Sequence, residues 1–111
     1  MDPRLEAFVV LFNNEKFFEA HEVLELLWLE TEGTERDFYK GLIQCAAAFV
    51  HHQRGNPKGA EKLYQRANGY LQSYLPGYGG INTEKLLRQF QHFFETDRNV
   101  SSAVLPRIEF L

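Results

Sequence analysis

Apolar residues recur along this chain at three- and four-residue steps, and no segment sustains the strict alternation of a strand, so the sequence reads as helical throughout. Leu5, Phe8, Val9 and Phe12 fall at i, i+3, i+4 and i+7, predicting a first helix from about Pro3 to Phe12 with Pro3 in its first turn. Asn13 and Asn14 break that pattern and are expected to cap a second helix that reaches about Glu30. After a polar connector, Thr34 is placed to cap a third helix from about Glu35 to Arg54. Gly55-Asn56-Pro57 is the sharpest punctuation: glycine suits a left-handed helix end, asparagine a cap, and proline a first turn, so two helices should meet there in a tight hairpin.

Helix four carries Ala60, Leu63, Tyr64, Ala67, Tyr70, Leu71 and Tyr74 and ends in the turn-rich Pro76-Gly-Tyr-Gly-Gly80. Helix five starts near Asn82 with Leu86, Leu87, Phe90, Phe93 and Phe94, and the tail from Val100 is too apolar to hang free. The expected fold is therefore all-α, a compact antiparallel bundle of about five helices forming one domain over 1–111, with 97–111 an extended tail packed on the helices. Phe17 to Leu24 and Pro57 to Tyr64 place Ala20 and Ala60 alike after a turn. This gives the bundle a helical-hairpin, tetratricopeptide-like character, although two units fall short of the three or so that a repeat array needs.

Composition narrows the function classes. A formal charge of −3 with both signs interspersed argues against a nucleic-acid partner, and Lys58, Lys62 and Arg66, four apart, read as a solvated helix face. No stretch approaches the roughly 18 apolar residues of a spanning helix, and the N-terminus has no export signal, so a cytoplasmic protein with no membrane partner is expected. Cys45 is the single cysteine, set in an apolar stretch, and reads as an inert buried thiol. Asn99-Val-Ser101 matches a glycosylation sequon and is read as a chance occurrence.

The candidate chemistry lies in the second and third helices. At about 100° per residue, His21 and Glu25 fall beside Trp28 and Phe18 at the edge of an apolar arc, while Glu15, Glu19 and Glu22 lie farther round. A carboxylate enclosed there needs a partner or a raised pKa. Gly41 to Val50 is apolar all round except for Gln44, as expected of a central helix. Asp37, Gln44 and His51 recur every seven residues beside Gly41, Ala47 and Ala48, so His21, Glu25, Gln44 and His51 are expected to converge in a buried polar cluster. His52 points elsewhere and reads as a helix-end surface residue. Such a cluster serves as a register-fixing hydrogen-bond network, a pocket for a small polar ligand, or a divalent-metal site with His21, Glu25 and His51 as ligands. His21-Glu22-Val-Leu-Glu25 departs from the His-Glu-x-x-His zinc motif, because glutamate stands where the second histidine belongs.

Residues 12–28, with Phe-Phe-Glu-Ala-His-Glu-x-Leu-Glu-x-x-Trp, followed by Gly41-Leu-Ile-Gln-Cys-Ala-Ala-Ala48, His51 and Gly55-Asn-Pro-Lys-Gly-Ala60, resemble the small prokaryotic helical proteins of the domain-of-unknown-function 309 family. The resemblance covers about residues 5–75 and implies an all-helical domain without a defined activity. It matches His21, Glu22, Glu25, Trp28, Gln44, His51 and Gly55 to signature positions. The expected function is a helical binding or interaction module, with a homodimer, another protein or a small polar ligand as partner and no required cofactor. The competing expectation is a metal-assisted hydrolase that uses His21, Glu25 and His51 as ligands and Glu22 or Glu25 as base.

Overall fold

Side-chain caps set three of the five helix starts. The computed structural model describes residues 1–97 and 103–111; the Asn99 sequon lies outside the described residues. Five helices follow in order: α1 Pro3–Asn13, α2 Phe17–Glu30, α3 Thr34–Gln53, α4 Pro57–Leu71 with a 3-10 turn Gln72–Tyr74, and α5 Thr83–His92 continued by a π-helical turn Phe93–Asp97. The Asp2 carboxylate caps α1 by accepting from the Arg4 N–H at 2.8 Å. Asn56 caps α4 through the Gly59 N–H at 3.1 Å, directly after Gly55 at φ +73°, and Asn82 caps α5 through the Lys85 N–H at 3.0 Å.

Two expected caps are absent. Helix α2 begins after Lys16 and α3 after Gly33, neither with a side-chain cap. Asn13 is instead the last residue of α1, and its carboxamide reaches the C-terminal tail. Its Nδ2 donates to the Ile108 carbonyl at 2.9 Å, and its Oδ1 accepts the Ile108 N–H at 2.8 Å. Thr34 opens α3 and offers its backbone carbonyl to the Tyr74 hydroxyl.

Each helix packs chiefly on its chain neighbours, with α3 held between α2 and α4. The aromatic residues gather round α3: the Phe49 ring lies 5.0 Å from Phe17 and Phe90, 5.1 Å from Phe93 and 6.2 Å from Phe12. Phe38, Leu42, Cys45, Ala46, Ala48 and Phe49 are fully enclosed. Gly41 lets α4 approach, because a Cβ there would meet Leu71 Cδ2 at 2.6 Å. His52 is no plain surface residue, since it is half-buried and edge-on to the Phe93 ring at 5.0 Å, where the end of α5 closes over α3.

Residues 103–111 run extended along the molecule. The Asn82 N–H donates to the Glu109 carbonyl at 2.8 Å, the Leu111 N–H donates to Gly80 at 2.9 Å, and an isolated bridge pairs Ile81 with Phe110. Ile108 is the buried anchor of the tail, whereas Val104, Phe110 and Leu111 remain exposed. No strand forms among the described residues beyond isolated bridges, and no helix among them is long and apolar enough to cross a membrane.

Three outcomes follow from this packing. Gly41→Ala pushes a methyl into fully buried Leu71 and should lower unfolding stability by about 1–3 kcal/mol in urea titrations. Asn13→Ala strips two partners from Ile108 and should cost about 1–3 kcal/mol, with faster hydrogen exchange at the Ile108 amide. Burial raises the Cys45 thiol pKa, and burial together with the Glu35 carboxylate raises that of Tyr39. Both groups therefore hold their protons longer in the folded state. Their stabilisation is complete at neutral pH and declines as pH rises past about 8.5 for the thiol and about 10 for the phenol, where the unfolded chain ionises. Urea midpoints measured from pH 7 to above 10 should fall, and Cys45→Ala should flatten the first part of that decline.

Candidate functional site

Helices α2 and α3 run antiparallel, and a strip of α2 borders the open strip of α3. On α2, Phe18, His21, Glu25 and Trp28 span about 80° of arc, and on α3, Lys40, Gln44, Ala47 and His51 span about 60° at the helical repeat. At one end of the seam the Trp28 ring receives the Arg36 guanidinium at 4.0 Å and the Lys40 ammonium at 4.5 Å from its centroid. Arg36 also donates through Nη1 to the carbonyls of Trp28 and Thr31, each at 3.0 Å, and so closes the C-terminal end of α2 with a cation. At the other end Phe18, His21, Ala47, Val50, His51 and Arg54 line a pocket of about 180 Å³, with the Arg54 guanidinium 5.6 Å from the Phe18 ring.

The polar residues of the seam are half-exposed, not enclosed as the sequence suggests. His21 keeps 30% of its side-chain surface and Glu25 keeps 44%, so water solvates the carboxylate and the pair survives without a buried network. His21 Nε2 lies 3.4 Å from Glu25 Oε2, one turn along the same helix. Its Nδ1 is shielded from solvent and has no hydrogen-bond partner among the described residues. His51 is orientated from the α4 cap. Asn56 Oδ1 accepts the Gly59 N–H, which turns Nδ2 toward His51 Nδ1 at 3.0 Å. As acceptor, Nδ1 carries no proton, leaving the neutral ring with its N–H at Nε2. Gly59 makes room for this arrangement, since a Cβ there would lie 2.5 Å from Asn56 Nδ2 and 3.0 Å from His51 Nδ1.

The four-residue convergence expected from the helical wheel does not form. His21 and His51 share a pocket and Glu25 pairs with His21, but Gln44 looks out on the other side of α3. Gln44 has no side-chain hydrogen bond among the described residues, so it does not bridge the histidines. Glu22 is exposed and lines neither pocket. Among the described residues no three His, Cys, Asp or Glu side chains are placed to hold one metal ion, so His21, Glu25 and His51 do not assemble as a ligand set. Glu25 is engaged along its own helix, and the Nδ1 of His51 is taken by Asn56. Cys45 sits in the core, away from both pockets, as an enclosed thiol.

On the α4 side of the α3 strip lies a second and larger concavity, an open groove of about 610 Å³ lined by Lys40, Gln44, Arg66, Gly69 and Tyr70. Its cations escaped the sequence reading, which treated Arg66 as part of a solvated face and did not single out Lys40. The available signal was Lys40 one turn before Gln44, with a basic stripe on the next helix. Helical glycines usually answer to a steric need, as Gly41 and Gly59 do; Gly69 differs, with no atom within 4 Å of where its Cβ would stand. A glycine inside a helix costs about 1 kcal/mol relative to alanine, and nothing in the packing of the described residues requires that one.

Similarity to other proteins supports the family resemblance. The family profile described as "Domain of unknown function (DUF309)" matches residues 5–63, which include all the residues of the α2–α3 seam. An uncharacterized protein of Bacillus subtilis (strain 168), YpuF, is 34% identical over 96 residues, covering 81% of this chain and 55% of the relative. An uncharacterized protein of Aquifex aeolicus (strain VF5) is 31% identical over 72 residues, covering 64% of this chain and 22% of its own length. The chain thus spans about half of the first relative and a smaller share of the second. With more than half of its length matched by the profile and its helices in place, the chain belongs to the DUF309 family.

Proposed function

We propose that this protein is a helical binding module that takes a small polar ligand on the open side of α3. The observation that carries the reading is the orientation of the polar side chains along that helix: Gln44 and His51 line concavities open to solvent and do not close on one another. A register-fixing network would pair its members, and a half-satisfied network is worse for a fold than an apolar core. Gln44 here leaves its amide donors and acceptor available, and His21 keeps a solvent-shielded nitrogen without a partner. Polar groups presented to a concave, partly aromatic surface are what a small-molecule site requires.

A hydrolase built on His21, Glu25 and His51 has no comparable support, because among the described residues no three such groups are placed round one point. A metal-free module should keep its melting temperature after chelator treatment and dialysis. A fall on chelation, restored by one divalent ion, would contradict it. A thermal-shift screen of small polar metabolites tests the binding reading directly. A ligand at about 100 times its Kd adds about 2.7 kcal/mol to unfolding stability. That increment should shrink in Gln44→Ala or His51→Ala, and a screen with no compound sensitive to either substitution would refute the module.

A further inference from the structure

Resting on the reading of this face as a binding surface, the geometry points to its ligand class: we propose that the groove between α3 and α4 takes a small phosphorylated molecule carrying a planar ring. The charge distribution comes first. Most cations of the described residues outside the α3–α4 hairpin are engaged: Arg4 with Glu30, Arg88 with Glu84, Lys85 with Glu109, and Arg107 with the Asn13 carbonyl. Inside the hairpin, Arg66 and Lys40 have no carboxylate partner among the described residues, Lys40 resting on the Trp28 ring instead, although the chain as a whole is acidic. Among the described residues no carboxylate lines the groove they share. Asp37, one turn before Lys40, lies instead toward Tyr74, where burial and then the Asp37 charge raise the phenol pKa.

The unpaired Arg66 guanidinium, the Gln44 amide and the Lys40 ammonium, which rests on the Trp28 ring at the edge of the groove, offer a donor set for phosphoryl oxygens. Lys40 acts as a point charge, Arg66 offers a planar fork, and Gln44 donates an N–H between them. The Tyr70 ring stands at the same groove with 37% of its surface exposed, a platform on which a planar ring can stack. Gly69 supplies an independent observation. Its missing side chain relieves no contact among the described residues, yet it stands on the groove wall beside Tyr70, where it lets a ligand approach the α4 backbone. A volume of about 610 Å³ is in the range of ordinary small-molecule sites.

Amide NMR titration of the full chain with adenosine 5′-monophosphate, adenosine and inorganic phosphate tests the proposal. The monophosphate should move the Gly69 amide and the Gln44 side-chain amide saturably, with adenosine and phosphate each at least about tenfold weaker. Lys40→Ala and Arg66→Ala should each weaken the monophosphate about tenfold, the worth of one charge-assisted hydrogen bond. Gly69→Ala should raise the melting temperature and weaken binding together, a combination that a merely structural glycine does not give. Absence of a saturable response to the monophosphate up to about 10 mM, equal binding of adenosine, or wild-type affinity in both cation variants would overturn the phosphate assignment. If uncharged metabolites still perturb Gln44, the binding module stands without it; if nothing perturbs the face, both readings fail.

Discussion

The enclosure of α3 on every side but one is the constraint from which the rest of this molecule follows. Phe49 touches rings from α1, α2 and α5 and from the π-helical turn, while Gly41 admits α4 against Leu71. A helix so surrounded must be apolar on its covered faces, and Phe38, Leu42, Cys45, Ala46 and Phe49 meet that demand. What remains is one narrow strip, Lys40, Gln44, Ala47 and His51, walled by α2 on one side and α4 on the other. That strip and the residues bordering it carry the polar groups on which the proposed binding function rests.

The strip divides by chemistry. Toward α2 it meets an indole, a histidine–glutamate pair and the Phe18 ring, and its cations rest on aromatic faces. Toward α4 it meets Arg66, Tyr70 and a glycine with no neighbours, an arrangement richer in unpaired donors. Asn56 links the two helices of the hairpin, since one carboxamide caps α4 and orientates His51. The short Gly55-Asn-Pro junction thus sets the ring state presented at the smaller pocket as well as the direction of the chain.

The fold was legible because its signals are local. Apolar spacing at three and four residues places all five helices, and the Gly55-Asn56-Pro57 punctuation acts within one turn of the residues it controls. Asn13 was misread as a cap because its partner, Ile108, lies far along the chain, where no local pattern points. His21 and Glu25 were expected in the core because a helical wheel ranks the faces of α2 but does not say how far a neighbour extends over them. The packing of α1 and α3 on α2 leaves Phe18, Leu26 and Leu29 well exposed, so the edge of its apolar arc is a rim and not an interior. The basic groove was hidden for a related reason: Lys40 and Arg66 are ordinary surface cations until the hairpin brings them to one concavity.

Whether Gln44, the one polar residue in the apolar run of α3, is there for the fold or for a ligand decides between a structural and a binding role for the strip. Urea denaturation of Gln44→Ala against the parent chain measures this without knowledge of the ligand. An open position with free hydrogen-bonding groups predicts a stability change within about 0.5 kcal/mol, since a surface amide exchanges its bonds with water at little cost. A loss of about 1.5 kcal/mol or more would mark a buried partner left unsatisfied, and would contradict the reading of the α3 strip as a binding face.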